Sequence, residues 1–240
     1  LLLTAGVYAQ DWNETMKLVP TDRQESDWFG YRIDSNGEYA VIGAPFEDHD
    51  ELGENYMHDA GSAYVFYNNN GTWEQVQKLV ASDRNADAEY GISVSISENY
   101  MIIGAYYSHS TAGRAYIYKK NGSIWEEIKV LQPSDWTGAD CFGKSVRITE
   151  EYAIVGAYGN DLDENGQNYV GGAGALFIFK NNLDTWHEIQ KITAPDRGTD
   201  DWFGYSSVIS GDYIFVGVPF EDHDENGSNY LYNSGSLYAY

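Results

Sequence analysis

Four aromatic–glycine pairs recur along the chain: Phe29-Gly30, Tyr90-Gly91, Phe142-Gly143 and Phe203-Gly204. Thirteen residues beyond each of these glycines another begins a short motif, Gly43-Ala44-Pro45, Gly104-Ala105-Tyr106, Gly156-Ala157-Tyr158 or Gly217-Val218-Pro219. A third glycine, at 61, 113, 174 or 235, precedes an aromatic run, and twelve residues later stand Trp73, Trp125 and Trp186. Each tryptophan lies eighteen residues before the next pair's glycine, and Trp12 keeps that interval to Gly30. A frame held four times marks one structural unit repeated, and such units bury their faces only against one another. A single interval varies. From the second glycine to the third it is eighteen residues in copies one, three and four but nine in copy two, as expected of a surface loop.

The segments between the marks read as strands. FGYRID, YGISVSI, FGKSVRI and FGYSSVI alternate in character, whereas YAVIGA, YMIIGA, YAIVGA and YIFVGV are apolar throughout, as in a strand covered on both faces. SAYVF, RAYIY, ALFIF and SLYAY place aromatics on one face. WEQVQKL, WEEIKVL and WHEIQKI are the most polar and suit an exposed outer edge. Asn70-Gly71 and Asn121-Gly122 are hairpin signals before that edge strand. The expected fold is all-β: a β-propeller of four-stranded antiparallel blades, with the aromatic–glycine strand innermost and the tryptophan strand outermost.

Charge and cysteine content narrow the function. Fourteen Lys and Arg against 37 Asp and Glu give a net charge of −23, which repels nucleic acid and anionic membrane. The lone Cys141 allows no intrachain disulfide and reads as a buried, inert thiol. LLLTAGVYAQ resembles the end of a secretory signal, with Val7-Tyr8-Ala9 as a cleavage site. The expectation is a signal tail over residues 1–9 and an exported domain over 10–240, secreted or at the cell surface. No run is long enough for a membrane-spanning helix.

FGYRID, YAVIGAP, GSAYVF and TWEQVQKLVASD together resemble the FG-GAP repeat, best known from the propellers of integrin α subunits, and are closest to its secreted bacterial form. The resemblance spans residues 12–240. It implies a β-propeller, frequently calcium-binding, that offers its loops to a ligand. Tyr106, Tyr158 and Tyr90 depart from the family pattern at positions read as framework. The family expectation of seven blades makes these four repeats a fragment of a larger propeller. The competing expectation is a small closed ring in which residues 12–19 pair with residues 236–240.

The variable loop carries the candidate metal ligands: Asp48, Asp50 and Asn55; Asp161, Asp163, Asn165 and Asn168; Asp222, Asp224, Asn226 and Asn229. Oxygen side chains at alternate positions followed by Gly53, Gly166 or Gly227 form the first half of a calcium loop. The glutamate that would complete it is missing, with Asp59, Gly172 and Asn233 in its place. Integrin repeats carry their acidic loop before the GAP-like strand and this chain carries it after, so the family's ligands do not transfer. Solvated Asp-Gly-Asn turns are the alternative to calcium. A second acidic series, Asp22 and Asp27, Asp83 and Asp87, Asp135 and Asp140, Asp196 and Asp201, reads as fixing the turn between blades. No histidine spacing supports zinc, and no nucleophile or phosphate motif appears. These features point to a calcium-dependent binding or adhesion module for a protein or carbohydrate ligand. A lectin and a spacer of a larger secreted protein stand beside it, and catalysis is not expected.

Overall fold

The computed structural model describes residues 13–136, 138–224 and 227–240. The apolar N-terminal run with its expected cleavage site lies outside the described residues, as does Asn226. Fifteen strands form four antiparallel sheets, one per repeat. Sheet 1 holds β1 (Ile33–Ser35), β2 (Tyr39–Ala44), β3 (Ser62–Asn69) and β4 (Thr72–Leu79), hydrogen-bonded in chain order. Sheet 2 holds β5 (Ser93–Ile96), β6 (Tyr100–Ala105), β7 (Arg114–Asn121) and β8 (Ile124–Leu131). Sheet 3 holds β9 (Phe142–Ile148), β10 (Tyr152–Ala157), β11 (Ala175–Asn182) and β12 (Thr185–Ile192). Sheet 4 has three strands, β13 (Ser206–Ser210), β14 (Tyr213–Val218) and β15 (Ser236–Ala239).

The burial of each strand follows its sequence. β2 and β6 are buried at every residue, while β4, β8 and β12 present alternate residues to solvent. Their tryptophans nonetheless turn inward. Trp125 sets its ring edge against Tyr39 at 5.6 Å and Trp186 against Tyr100 at 5.3 Å, so each anchors its outer strand to the preceding sheet. All three outer ladders slip by one residue at the same place, leaving Val76, Ile128 and Ile189 as the extra residue of a β-bulge. The hairpin at Asn70-Gly71 has both residues at positive φ, as expected. In sheet 2 the turn falls instead on Gly122-Ser123, because Asn121 is the last residue of β7 and pairs with Ile124.

Three apolar cores fill the spaces between sheets 1 and 2, 2 and 3, and 3 and 4. What sets the spacing is backbone against backbone. A Cβ on Gly43, Gly104 or Gly156 would collide with the carbonyl of Gly91, Gly143 or Gly204 in the following sheet. Beside this contact runs a parallel bridge, Gly61 to Tyr90, Gly113 to Phe142 and Gly174 to Phe203. In each the aromatic N–H donates to the carbonyl before the glycine, at 3.1, 3.1 and 2.9 Å. The aromatic–glycine pair of one repeat is therefore clamped on the two glycines of the repeat before it.

No apolar core joins sheet 4 to sheet 1 among the described residues, and β14 is the only ladder partner of β15 there. Residues 13–19 form no strand; Leu18 packs on the free face of sheet 1 beside Phe29 and Trp73. Among the described residues the four-sheet ring expected from pairing of residues 12–19 with residues 236–240 is thus not formed, as residues 13–19 make no ladder with residues 236–240. The sheets make an open stack.

The glycine clamp predicts unequal costs for two alanine substitutions. Gly104→Ala pushes a methyl into a neighbouring carbonyl and should cost about 3 kcal/mol or more, beyond the usual overpacking range. Gly37→Ala meets no atom within 4 Å and forces only a φ of +91°, expected to cost about 1–2 kcal/mol. Urea denaturation of both variants checks the order.

Candidate functional site

Chain direction puts all long connections at one end of the stack. The loops after β2, β6, β10 and β14 and the links that lead into the next aromatic–glycine pair emerge there, while the other end carries only tight turns. The expected metal-ligand residues all lie in these loops. In the first, Asp50 Oδ1 accepts the N–H groups of Leu52 and Glu54 at 3.0 and 2.9 Å, and the Asn55 amide donates to Oδ2. Asp48 Oδ1 accepts from Asp59 N at 2.7 Å. The third loop repeats this: Asp163 Oδ1 accepts from Asn165 and Gln167, Asn168 donates to Oδ2, and Asp161 accepts from Gly172 N. In the fourth, Asp224 accepts from Ser228 N and from the Asn229 amide, and Asp222 from Asn233 N. These bonds hold Asp50 and Asp163 below the usual carboxylate range, led by the Asn55 amide for the first and the Gln167 N–H for the second. Arg84 and Arg197 finish the first and third loops by donating to the carbonyls of Asp48 and Asn55 and of Asp161 and Asn168.

The aspartates therefore order their own loops, chiefly through backbone N–H groups. Among the described residues the one His/Asp/Glu group with three ligand atoms within 4.8 Å is His58, Asp59 and Asp87, and it contains none of the expected ligands. Asn165 turns its side chain to Glu164 at 3.3 Å.

The second acidic series has a different task in each sheet. Buried Lys78 bonds Asp22 at 2.7 Å and lies 3.1 Å from buried Glu47, which also accepts from Ser62 Oγ. Lys191 bonds Asp135 at 2.6 Å and the Asn160 side chain at 2.8 Å. In copy two, Val130 holds the lysine's register position, and Ala88 and Ser108 occupy the neighbouring acidic positions. Asp83 there bonds Arg114 and the Tyr116 hydroxyl instead. Asp27 and Asp201 accept the N–H groups of Gln24 and Gly198, and burial pushes both carboxyls up. The expected turn-fixing role thus holds for these two, while Asp22, Asp83 and Asp135 bind side chains of the sheet.

Where the innermost strands begin, an aromatic floor crosses all four repeats. Trp28 stacks on Tyr31 and sets its edge on Phe46 at 4.6 Å; Trp202 does the same with Tyr205 and Phe220, also at 4.6 Å. Between them lie Tyr106 and Tyr158, packed with Ile92, Cys141 and Tyr31. Lys144 Nζ sits over Tyr106 at 4.5 Å and over Tyr205 at 5.3 Å. Burial lowers the Lys144 ammonium and raises the Glu89 carboxyl; their mutual attraction opposes both shifts. Burial also raises the Cys141 thiol, as expected of an inert cysteine.

The sequence matches the FG-GAP repeat over residues 12–66, 73–118, 125–179 and 186–240. The chain belongs to the FG-GAP repeat family. No curated protein matches it. The second, third and fourth FG-GAP matches start in a tryptophan strand and run to the aromatic strand of the next sheet, so each of these units straddles two sheets.

Among FG-GAP positions, Tyr106 and Tyr158 occupy the proline position of the GAP motif and pack in the floor. The signal lay in the residues flanking each aromatic–glycine pair. Trp28, Glu89, Cys141 and Trp202 precede it, and Tyr31, Ile92, Lys144 and Tyr205 follow it. Those positions differ between copies where the framework is constant.

The lysine junctions predict a graded loss. Lys78→Met strands Glu47 in the interior and should cost about 3–5 kcal/mol, with Glu47→Gln restoring part of it. Lys191→Met should cost less, because neutral Asn160 replaces the glutamate. Chemical denaturation of the three proteins tests the ranking.

Proposed function

We propose that the chain is an exported recognition module that takes its ligand on the loop end of the sheets. The observation that carries this reading is the aromatic floor, continuous over four repeats and rimmed by hydrogen-bonded acidic loops. Exposed and half-exposed aromatic rings supply large contact area with little loss of side-chain freedom on binding. A protein ligand in an adhesive contact is the first reading. A carbohydrate is the second, favoured by the matching Trp28 and Trp202 clusters, whose rings can stack on sugar faces while rim carboxylates accept from hydroxyls. Binding is proposed over catalysis, since the floor is built mainly of aromatic rings and its thiol, Cys141, is buried.

Glycan-array and surface-protein capture experiments with the purified chain test the reading. Trp202→Ala and Trp28→Ala should each weaken binding about tenfold or more, as for aromatic anchors, with the melting temperature nearly unchanged. Full binding by the double variant would overturn it.

Calcium is a further part of the proposal, supported by the spacing of the loop aspartates and the net charge of −23. Because no loop supplies the bidentate glutamate of a tight site, the expected affinity is in the weak extracellular range, about 10⁻⁴–10⁻³ M. Calorimetry should give heat on millimolar addition and a chelator should lower the melting temperature. Asp222→Ala with Asp224→Ala should remove one site and keep the fold. No heat and no melting change would end the idea.

A further inference from the structure

The lysine junction of sheet 3 holds a set of groups that ligand recognition does not use. Lys191 of β12 donates from Nζ to Asn160 Oδ1 at 2.8 Å, to Asp135 Oδ2 at 2.6 Å and to the Leu162 carbonyl at 2.9 Å. On the far side of the amide, Asn160 Nδ2 donates to Asp140 Oδ1 at 3.1 Å. The junction is dry. Asn160 and Asp140 are 0% exposed and Lys191 8%, and Nζ lies 5.5 Å from the centre of the buried Phe177 ring. Asp135 Oδ1 is buried as well, with no hydrogen-bond partner among the described residues, so this carboxylate has an oxygen ready to take a proton.

One residue sets this junction apart from its counterparts. Sheet 1 has the same lysine and the same two aspartates, Lys78, Asp22 and Asp27, but Glu47 stands where sheet 3 has Asn160. Glu221 holds that position in sheet 4 and Ser108 in sheet 2. An ionised carboxylate beside an ammonium makes an ion pair and goes no further. A carboxamide offers a carbonyl carbon that an amine can attack and a nitrogen that can leave as ammonia. Fixed contact makes such an attack unimolecular, and exclusion of water spares the amide from hydrolysis.

We propose that Lys191 and Asn160 join in an amide cross-link within the chain. Lys191 Nζ gives one proton to Asp135, and its freed lone pair attacks Cγ of Asn160. A second Nζ proton is relayed by Asp140 to Nδ2, the Cγ–Nδ2 bond breaks, and ammonia leaves. Asp135 then releases its proton to solvent. The products are one Lys–Asn amide, one ammonia and one proton, so no oxidant or other reactant is needed. Reaction follows folding, because only the fold brings together groups 31 residues apart. The bond ties the outer strand β12 to the loop after β10, a staple in a chain whose single cysteine cannot form an internal disulfide. Lys191→Met is the milder of the two lysine variants only against unlinked protein; against linked protein it loses the staple as well.

Intact-mass spectrometry of the purified chain, followed from refolding through prolonged incubation, tests the bond. The folded protein should lose the mass of one ammonia, and tryptic digestion should yield a branched peptide joining Asn160 to Lys191. Lys191→Arg keeps the cation but cannot form this amide, and it should stay at full mass. The branched peptide reads the bond directly, whether or not that variant folds. Asp140→Asn should slow the loss about a hundredfold, as expected for removal of a proton relay. Wild-type protein that keeps its full mass overturns the proposal. So does an ammonia loss that persists in Lys191→Arg, since ring closure at an exposed Asn-Gly pair such as Asn70-Gly71 sheds the same mass. Loss of water in place of ammonia also overturns it, by making Asp135 the partner of Lys191. An undiminished rate in Asp140→Asn overturns the relay.

Discussion

Contact between glycine backbones of adjacent sheets is the constraint on which the rest of this structure depends. With no side chain at Gly43, Gly104 or Gly156, the next sheet approaches until carbonyl meets Cα. That distance fixes how far apart the outer strands stand, and so how large the intersheet residues must be. Near the clamp the first intersheet core is filled by Ala63 and Ala105, and toward the turn end of the strands by Tyr39, Tyr118 and Trp125. The aromatic floor follows from the same geometry, because the clamp draws the starts of all four inner strands together.

Much of this was legible from spacing alone. The glycines and tryptophans sit where backbone or packing leaves no alternative, so their intervals are constant and strand order could be read from polarity. The acidic loops were legible as loops but not in their chemistry. An aspartate at alternate positions before a glycine can wrap a cation or cap its own turn, and the sequence is the same in both cases; the structure adds the capping bonds from Leu52, Glu54 and Gln167. The floor was hidden for another reason. Its residues occupy positions that the framework leaves free, so Glu89, Cys141 and Lys144 looked like noise between copies. Whether those positions converge depends on how the sheets stack, which no single repeat encodes.

Copy two shows how tightly the outer lysine is tied to its surroundings. Where Val130 replaces the lysine, Ala88 and Ser108 stand in place of the acids, and the long loop is absent. Asp83 survives because Arg114, at the start of β7, supplies its partner from the same sheet. Ionised groups leave the interior together because any one left behind would carry its full desolvation cost. In copy two the long loop, the lysine and both acids are missing together.

Because the second, third and fourth FG-GAP matches begin at one sheet's outer strand and run to the next sheet's aromatic strand, each of these units is a stitch between two sheets. Duplicating or deleting one such unit within the chain leaves each remaining sheet with all its strands and every clamp with both halves. A lineage carrying this repeat can therefore change its number of sheets in single genetic steps, without passing through a protein that has a torn sheet. What such a step does change is the angle left between the ends, and with it the choice between a ring, an arc and a filament.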